Sequence, residues 1–264
     1  MIIMKSILLI SVLVALVACA SAHSLYAEFP EKLALGSEAK VWIAYGHGGT
    51  AESDLSGLPV AKLVSPEGKV SDLALESYKS GLIGEVSLSE KGCYILDLQA
   101  ESTLFDPSWY GSSGSKNLVE KYGRVLMPVE SGKGCDWSSG KGLEIIPKVD
   151  PYGLKSGDSF KAGVLWNGRP LPGSYSAVVS RSPQDVLMVQ HAQETETEGS
   201  SDDGTVDFRL TRPGLWVLSY EATVEEKGIW KAAADDSQGH WKAGDGMEYD
   251  QIAPTAYLTF WVEK

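Results

Sequence analysis

Histidine and cysteine are scarce here: four and three residues, respectively, in a chain of 264. Neither Cys93 nor Cys135 has a CxxC partner, which argues against a thiolate metal site and a dithiol redox motif. No cluster of Lys or Arg interrupts a net charge of −12. That excludes nucleic acid as a partner, because phosphate binding needs those side chains. There is no G-x-S-x-G, HExxH, P-loop or dinucleotide fingerprint, and the chain is read as a non-enzyme. The apolar run Ile7 to Ala18 is too short for a comfortable bilayer span. What remains is 43% hydrophobic, ordinary for a globular protein with a core. The length suits two modest domains or one large β domain.

The first residues carry an export signal that can be read in two ways. Lys5, the apolar run and Ala20-Ser21-Ala22 form a secretory signal peptide over residues 1–22. Cleavage after Ala22 leaves His23 as the new N-terminus, where an α-amine and an imidazole on one residue can chelate a transition metal. Alternatively, Leu16-Val17-Ala18-Cys19 resembles a lipobox. Lipidation at Cys19 then tethers the protein to the envelope, gives it its one contact with a membrane and leaves His23 internal. Either way Cys19 leaves the count, and Cys93 and Cys135 remain as an even pair in an exported chain. They read as a disulfide.

The rest reads as strands joined by turns. Val41 to Tyr45, Val60 to Val64, Gly84 to Leu88, Tyr94 to Leu98 and Arg124 to Val129 are β candidates, spaced by turn chemistry such as Ser65-Pro66-Glu67-Gly68. Leu118 to Tyr122 looks like a single helical turn. Ser131 to Gly142, rich in Gly and Ser, reads as a linker. Beyond it come Leu143 to Pro147, Phe160 to Trp166 with a hairpin signal at Asn167-Gly168, Ser174 to Ser180, Thr205 to Leu210 and Leu215 to Ala222. Tyr257 to Val262, with period-two alternation, closes the series. Glu194 to Gly204 reads as an acidic loop or a long hairpin tip. Glu225 to Pro254 carries few strand signals and is the kind of long loop that is often functional. The expected fold is all-β: two β-sandwich domains at 23–130 and 143–264, the second immunoglobulin-like, joined by a linker at 131–142.

The second half carries a specific run: Asp150-Pro151-Tyr152-Gly153-Leu154, Gly157-Asp158, Val164 through Gly173 (VLWNGRPLPG), then Arg212-Pro213-Gly214-Leu215-Trp216 and Tyr257-Leu258-Thr259-Phe260. With Ala22-His23-Ser24-Leu25-Tyr26 and Gly46-His47-Gly48 it resembles the DUF4198 family of bacterial envelope proteins, also described as NikM-like. The resemblance implies a periplasmic or envelope-anchored component of nickel or cobalt uptake, working with a membrane transporter component. The chain departs from the family in lacking a second histidine beside His23.

Imidazole suits nickel, cobalt, copper and zinc. His23 and His47 are the first candidate metal ligands, since antiparallel pairing of Leu25–Phe29 with Lys40–Tyr45 brings them together. Glu28, Asp54, Asp106 or His240 is the candidate third ligand. His191 reads as a surface residue. A second hypothesis rests on loop aromatics: Trp109, Tyr110, Trp230 and Trp241 are placed to bind a carbohydrate or protein partner without catalysis. Trp42, Trp166, Trp216 and Trp261 sit on strand patterns and read as core.

Overall fold

Alternating side chains give every strand two faces, and in the middle of this molecule both faces are buried. The computed structural model describes residues 24–47, 50–51, 58, 60–78, 81–180 and 195–264. Its strands are, in chain order, β1 (Ser24–Glu28), β2 (Glu38–His47), β3 (Thr50–Ala51), β4 (Val60–Val64) and β5 (Val70–Asp72). Next come β6 (Glu76–Tyr78), β7 (Gly81–Ser87), β8 (Gly92–Gln99), β9 (Thr103–Phe105) and β10 (Asn117–Val129). The second half holds β11 (Leu143–Pro147), β12 (Ser159–Trp166), β13 (Arg169–Pro170), β14 (Gly173–Ser180) and β15 (Thr195–Ser201). It ends with β16 (Thr205–Arg209), β17 (Gly214–Glu221), β18 (Gly228–Lys231), β19 (Gly246–Tyr249) and β20 (Gln251–Val262).

These strands make an all-β sandwich in three layers. The middle layer is a nine-stranded sheet in the order β15-β14-β17-β20-β10-β8-β4-β5, with β9 on the start of β10. On one side packs the sheet β1-β2-β7-β6 with β3, and on the other the sheet β11-β12-β13 with β16. Tyr94, Leu96, Val125, Met127, Leu215 and Val217 enter the core under the first outer sheet. Their strand neighbours Cys93, Ile95, Leu126, Trp216 and Leu218 enter the core under the second. A sheet covered on both faces needs apolar residues at successive positions, which is why these segments read as continuous apolar runs.

The central sheet draws strands from both halves of the chain. β10 and β20 pair in parallel from Asn117↔Gln251 to Val125↔Thr259, so the two expected sandwiches share one sheet. The segment 131–142, expected as a linker, is where the chain crosses from the central sheet to the second outer sheet, and it is packed rather than loose. Cys135 is buried and disulfide-bonded to Cys93, with Cα atoms 5.1 Å apart. Gly134 sits at φ 95, where a Cβ would fall 2.8 Å from the Pro66 carbonyl oxygen.

A buried polar clasp holds the crossing. Arg124 on β10 donates to Glu144 on β11 at 2.7 Å and to the Trp137 carbonyl at 3.2 Å. Its guanidinium also lies 5.8 Å from the Trp137 ring and 3.6 Å from Asp97. The Glu144 carboxylate further accepts from the Ser138 hydroxyl and from the Ser139 and Gly140 backbone N–H groups. Burial works to raise the Glu144 pKa, but the Ser138 hydroxyl, the Arg124 charge and the Ser139 N–H outweigh it and hold it below the ordinary carboxylate range. Burial wins at Asp97, which is pushed up despite Arg124.

Several expected elements differ in detail. Leu118 to Tyr122 is strand, not a helical turn: its residues alternate between the sheet's faces and are held by β9 on one side and β20 on the other. The acidic stretch after residue 194 forms the edge strand β15, paired with β14. Asn167 and Gly168 both have positive φ, 49° and 78°, in the hairpin joining β12 to β13. Trp42 and Trp216 are buried, whereas Trp166 and Trp261 are half-buried.

Two stability predictions follow from the crossing. Cys93→Ser with Cys135→Ser should cost roughly 4 kcal/mol by the loop-entropy argument, read as a lower midpoint in denaturant; an unchanged midpoint would show that the bridge adds nothing to the clasp. For Glu144 the folded pKa lies below the unfolded one. Its contribution is therefore complete above the ordinary carboxylate range and is lost as pH falls through the lowered folded value. Stability measured against pH should fall on the acid side, and Glu144→Gln should flatten that limb while lowering stability at neutral pH.

Candidate aromatic cleft

The approach to β10 begins with a 3-10 turn, Pro107–Tyr110. The Asp106 carboxylate caps it by accepting the Ser108 N–H at 2.9 Å, Pro107 opens it where no N–H is needed, and Gly111 ends it at φ 71. Lys116 holds the same Asp106 carboxylate at 3.2 Å. Burial works to raise the Asp106 pKa, and the bonds from Ser108 and Lys116 bring it below the ordinary range. Asp106, proposed from sequence as a third metal ligand, thus has structural work. The turn presents Trp109 and Tyr110, the latter 53% exposed and stacked on Phe105 at 5.8 Å.

The approach to β20 is the long segment read as poor in strands. It forms a hairpin, β18 with β19, closed by a loop at 232–245 whose acidic residues hold its own backbone. Asp235 accepts the Ala243 N–H at 2.8 Å and Asp245 the Lys242 N–H at 2.8 Å. Asp236 accepts the His240 N–H at 3.1 Å and meets His240 Nδ1 at 2.7 Å. Burial works to raise the Asp236 pKa, but the hydrogen bonds from His240 leave it lowered. The hairpin base is tied to the other approach, where Asp250 accepts the Lys116 N–H at 2.9 Å and the Lys116 carbonyl accepts the Asp250 N–H at 2.9 Å.

Because β10 and β20 run in parallel, their approaches meet at one end of the sheet. Trp109 stacks on His240, centroids 4.2 Å apart at 12°, and lies 5.5 Å from Trp241. Trp230 meets Trp241 edge-on at 5.1 Å. The four aromatics proposed from sequence therefore come to one place together with His240. The cleft there, about 250 Å³, is lined by Trp109, Tyr110, Trp241, His240, Asp236, Gln238 and, from the sheet, Thr103, Leu104, Phe105, Val119 and Lys121. A second groove of about 440 Å³ opens on the opposite face of β10, where Leu118 and Glu120 alternate with Val119 and Lys121. It is flanked by Trp230, Tyr249 and Ile229, the last 71% exposed.

Lys121 is a cleft residue that nothing in the local sequence pattern singles out, as are Phe105 and Gln238. It is buried on a central strand, 5% exposed. Burial pulls its pKa down to about 8, against the Glu221 charge, which raises it.

The expected metal ligands are not gathered in the same way. Among the described residues no three His, Cys, Asp or Glu side chains form a metal-holding group. His240 is engaged by Asp236 and Trp109. Glu28 lies within β1 opposite Trp42. His47 ends β2, opposite Thr50 of β3. β1 pairs antiparallel with β2 from Ser24↔Gly46 to Glu28↔Trp42, as the strand pattern predicts. His23, Asp54, His191 and the lipidation candidate Cys19 lie outside the described residues.

No curated protein matches the chain. Among solved structures, it is similar to a DUF4785 family protein from Legionella pneumophila at 14% identity and a TM-score of 0.29. The match covers 74% of this chain and 51% of that one, so the chain spans about half the length of that relative. The family described as a domain of unknown function, DUF4198, matches residues 20–224, most of the chain, and the protein belongs to that family.

Proposed function

We propose that this is an exported, non-catalytic binding protein of the bacterial envelope whose ligand, a saccharide, seats in the cleft beneath Trp109 and Trp241. The observation that carries the reading is the meeting of Trp109, His240, Trp241 and Trp230, drawn from segments more than a hundred residues apart, around an open cavity. Indole faces supply flat apolar area for the C–H face of a sugar ring. Gln238, Asp236, Thr103 and Lys121 supply the convergent polar groups that fix its hydroxyls. The half-buried rings are held by stacking and by a loop whose backbone is already hydrogen-bonded, so little ordering is left to oppose binding. A glycan array followed by titration calorimetry tests this. Trp109→Ala and Trp241→Ala should each weaken the retained glycan about tenfold, roughly 1.4 kcal/mol, without lowering the melting temperature by more than a few degrees. Retention of no glycan by the wild-type protein would sink the reading.

One observation favours a second reading, nickel or cobalt binding in uptake or homeostasis. The ladder between β1 and β2 ends at Ser24↔Gly46, one residue short of His23 in one strand and of His47 in the other. Two imidazoles, with an α-amine where the chain is cut after Ala22, are a borderline donor set suited to these ions. Calorimetry of the protein recovered from its own envelope, with nickel or cobalt alone as titrant, should show His47→Ala losing at least tenfold in affinity. Equal binding by both proteins removes this reading and leaves the cleft untouched.

A further inference from the structure

We propose that the saccharide site continues past the cleft into the groove beside Trp230, so that the ligand is an oligosaccharide chain rather than a single sugar, with Trp230 as the residue that reads its length. The inference rests on the cleft being the saccharide site and adds the extent of the ligand. Size is the first argument. The cleft holds about 250 Å³, under the span of about 300–1,000 Å³ usual for a pocket that buries a whole small molecule. The groove on the other face of β10 adds about 440 Å³.

Continuity is the second argument. Trp241 lines the cleft and Trp230 lines the groove, and their rings meet at 5.1 Å, so an indole pair stands between the two cavities. The sheet makes the same junction. Thr103 and Val119 border the cleft, and their chain neighbours Ser102 and Leu118 border the groove. A chain seated on Trp109 meets Trp241 at 5.5 Å and Trp230 a further 5.1 Å on. The ring planes turn along this path, by 42° from Trp109 to Trp241 and by 87° from Trp241 to Trp230. A chain that follows them bends as it passes from one face of β10 to the other.

The groove has the chemistry to receive it. Trp230, Tyr249 and Leu118 supply apolar area, while Gln99, Glu101 and Ser102, from the end of β8 and the connection to β9, supply groups that bind hydroxyls. Ile229 leaves a large apolar side chain in water at the same groove, where a bound chain would cover it. Trp230 is also in place before any ligand arrives. It stands opposite Met247 in the β18–β19 ladder, and the hairpin is closed beyond it by the Ala232 N–H on the Asp245 carbonyl at 2.9 Å and the Gly244 N–H on the Ala232 carbonyl at 2.8 Å. Contact in the groove is therefore gained with little further ordering of the protein.

The test is calorimetry with the glycan retained on the array, offered as a length series from the single sugar to the hexasaccharide. Wild-type protein, Trp230→Ala, Trp230→Leu and Trp109→Ala are each titrated with every length. The wild type is expected to gain about tenfold in affinity from the shortest chain to the longest, because the groove is filled by a ligand the cleft already holds. Both Trp230 variants should lose that gain and keep the affinity for the single sugar within about twofold, whereas Trp109→Ala should weaken every length. Trp230→Leu keeps apolar bulk in the hairpin and stands in where Trp230→Ala fails to fold, and the wild-type series needs neither. Equal affinity for short and long chains in the wild type, or a full gain in a folded Trp230 variant, overturns the extension into the groove and leaves the cleft reading standing. Retention of no glycan of any length overturns both.

Discussion

The parallel ladder between β10 and β20 is the constraint on which the rest depends. It joins residues 134 positions apart, as the Asn117–Gln251 side-chain bond at 2.6 Å illustrates, and it makes one sheet of two halves. It also decides where the loops go. In a parallel pair both strands start at the same end, so the segments entering them arrive together. The 3-10 turn with Trp109 enters β10, and the hairpin with Trp230 and Trp241 enters β20. Had the pair been antiparallel, those aromatics would stand at opposite ends of the sheet and no cleft would form between them. The floor of the cleft comes from the same ladder, because Val119 and Lys121 belong to the paired stretch of β10.

A sheet buried on both faces carries a cost at its crossing points, where chain must pass from one layer to another with its backbone polar groups satisfied. The segment 131–142 meets that cost with the Glu144 carboxylate, which takes backbone and hydroxyl donors from Ser138, Ser139 and Gly140 while Arg124 neutralises it. Replacing such a buried pair with apolar residues is often neutral for stability, so its value here lies in specifying one path for the chain. The disulfide acts on the same segment from its other end. Cys93 on β8 holds Cys135, and the Cys93 N–H donates to the Lys133 carbonyl at 2.8 Å.

The strands were largely legible in the sequence because alternation and apolar runs are local signals. Val60 to Val64 and Leu143 to Pro147 form strands with the bounds the pattern gave. What lay beyond local reading was partnership. Nothing in the spacing of residues 117–129 shows that their neighbour is 251–262 rather than a strand of their own half, so the chain read as two sandwiches with a linker. Leu118 to Tyr122 misled for the same reason. Its Glu120 and Lys121 look helical in isolation, and only the flanking strands β9 and β20 make it extended. Each of the four loop aromatics reads as exposed on its own, and their convergence is a property of the ladder. A single lysine in a strand normally points to solvent, whereas Lys121 is buried.

The first outer sheet packs across the middle of β10 and β20. Leu25 of β1 packs against Gly123 of β10, where a Cβ would fall 3.1 Å from it, and the Phe29 carbonyl accepts from Trp261 Nε1 at 3.0 Å. β1 therefore runs in the same sense as β20, and its antiparallel partner β2 in the opposite sense. The aromatic cleft is built from the approaches to β10 and β20, and β2 ends at His47 after its pairing with β1. A layered body that brings the aromatic-bearing approaches of two parallel strands to one end is an arrangement by which sandwiches present binding sites, since strands fix positions and loops supply chemistry.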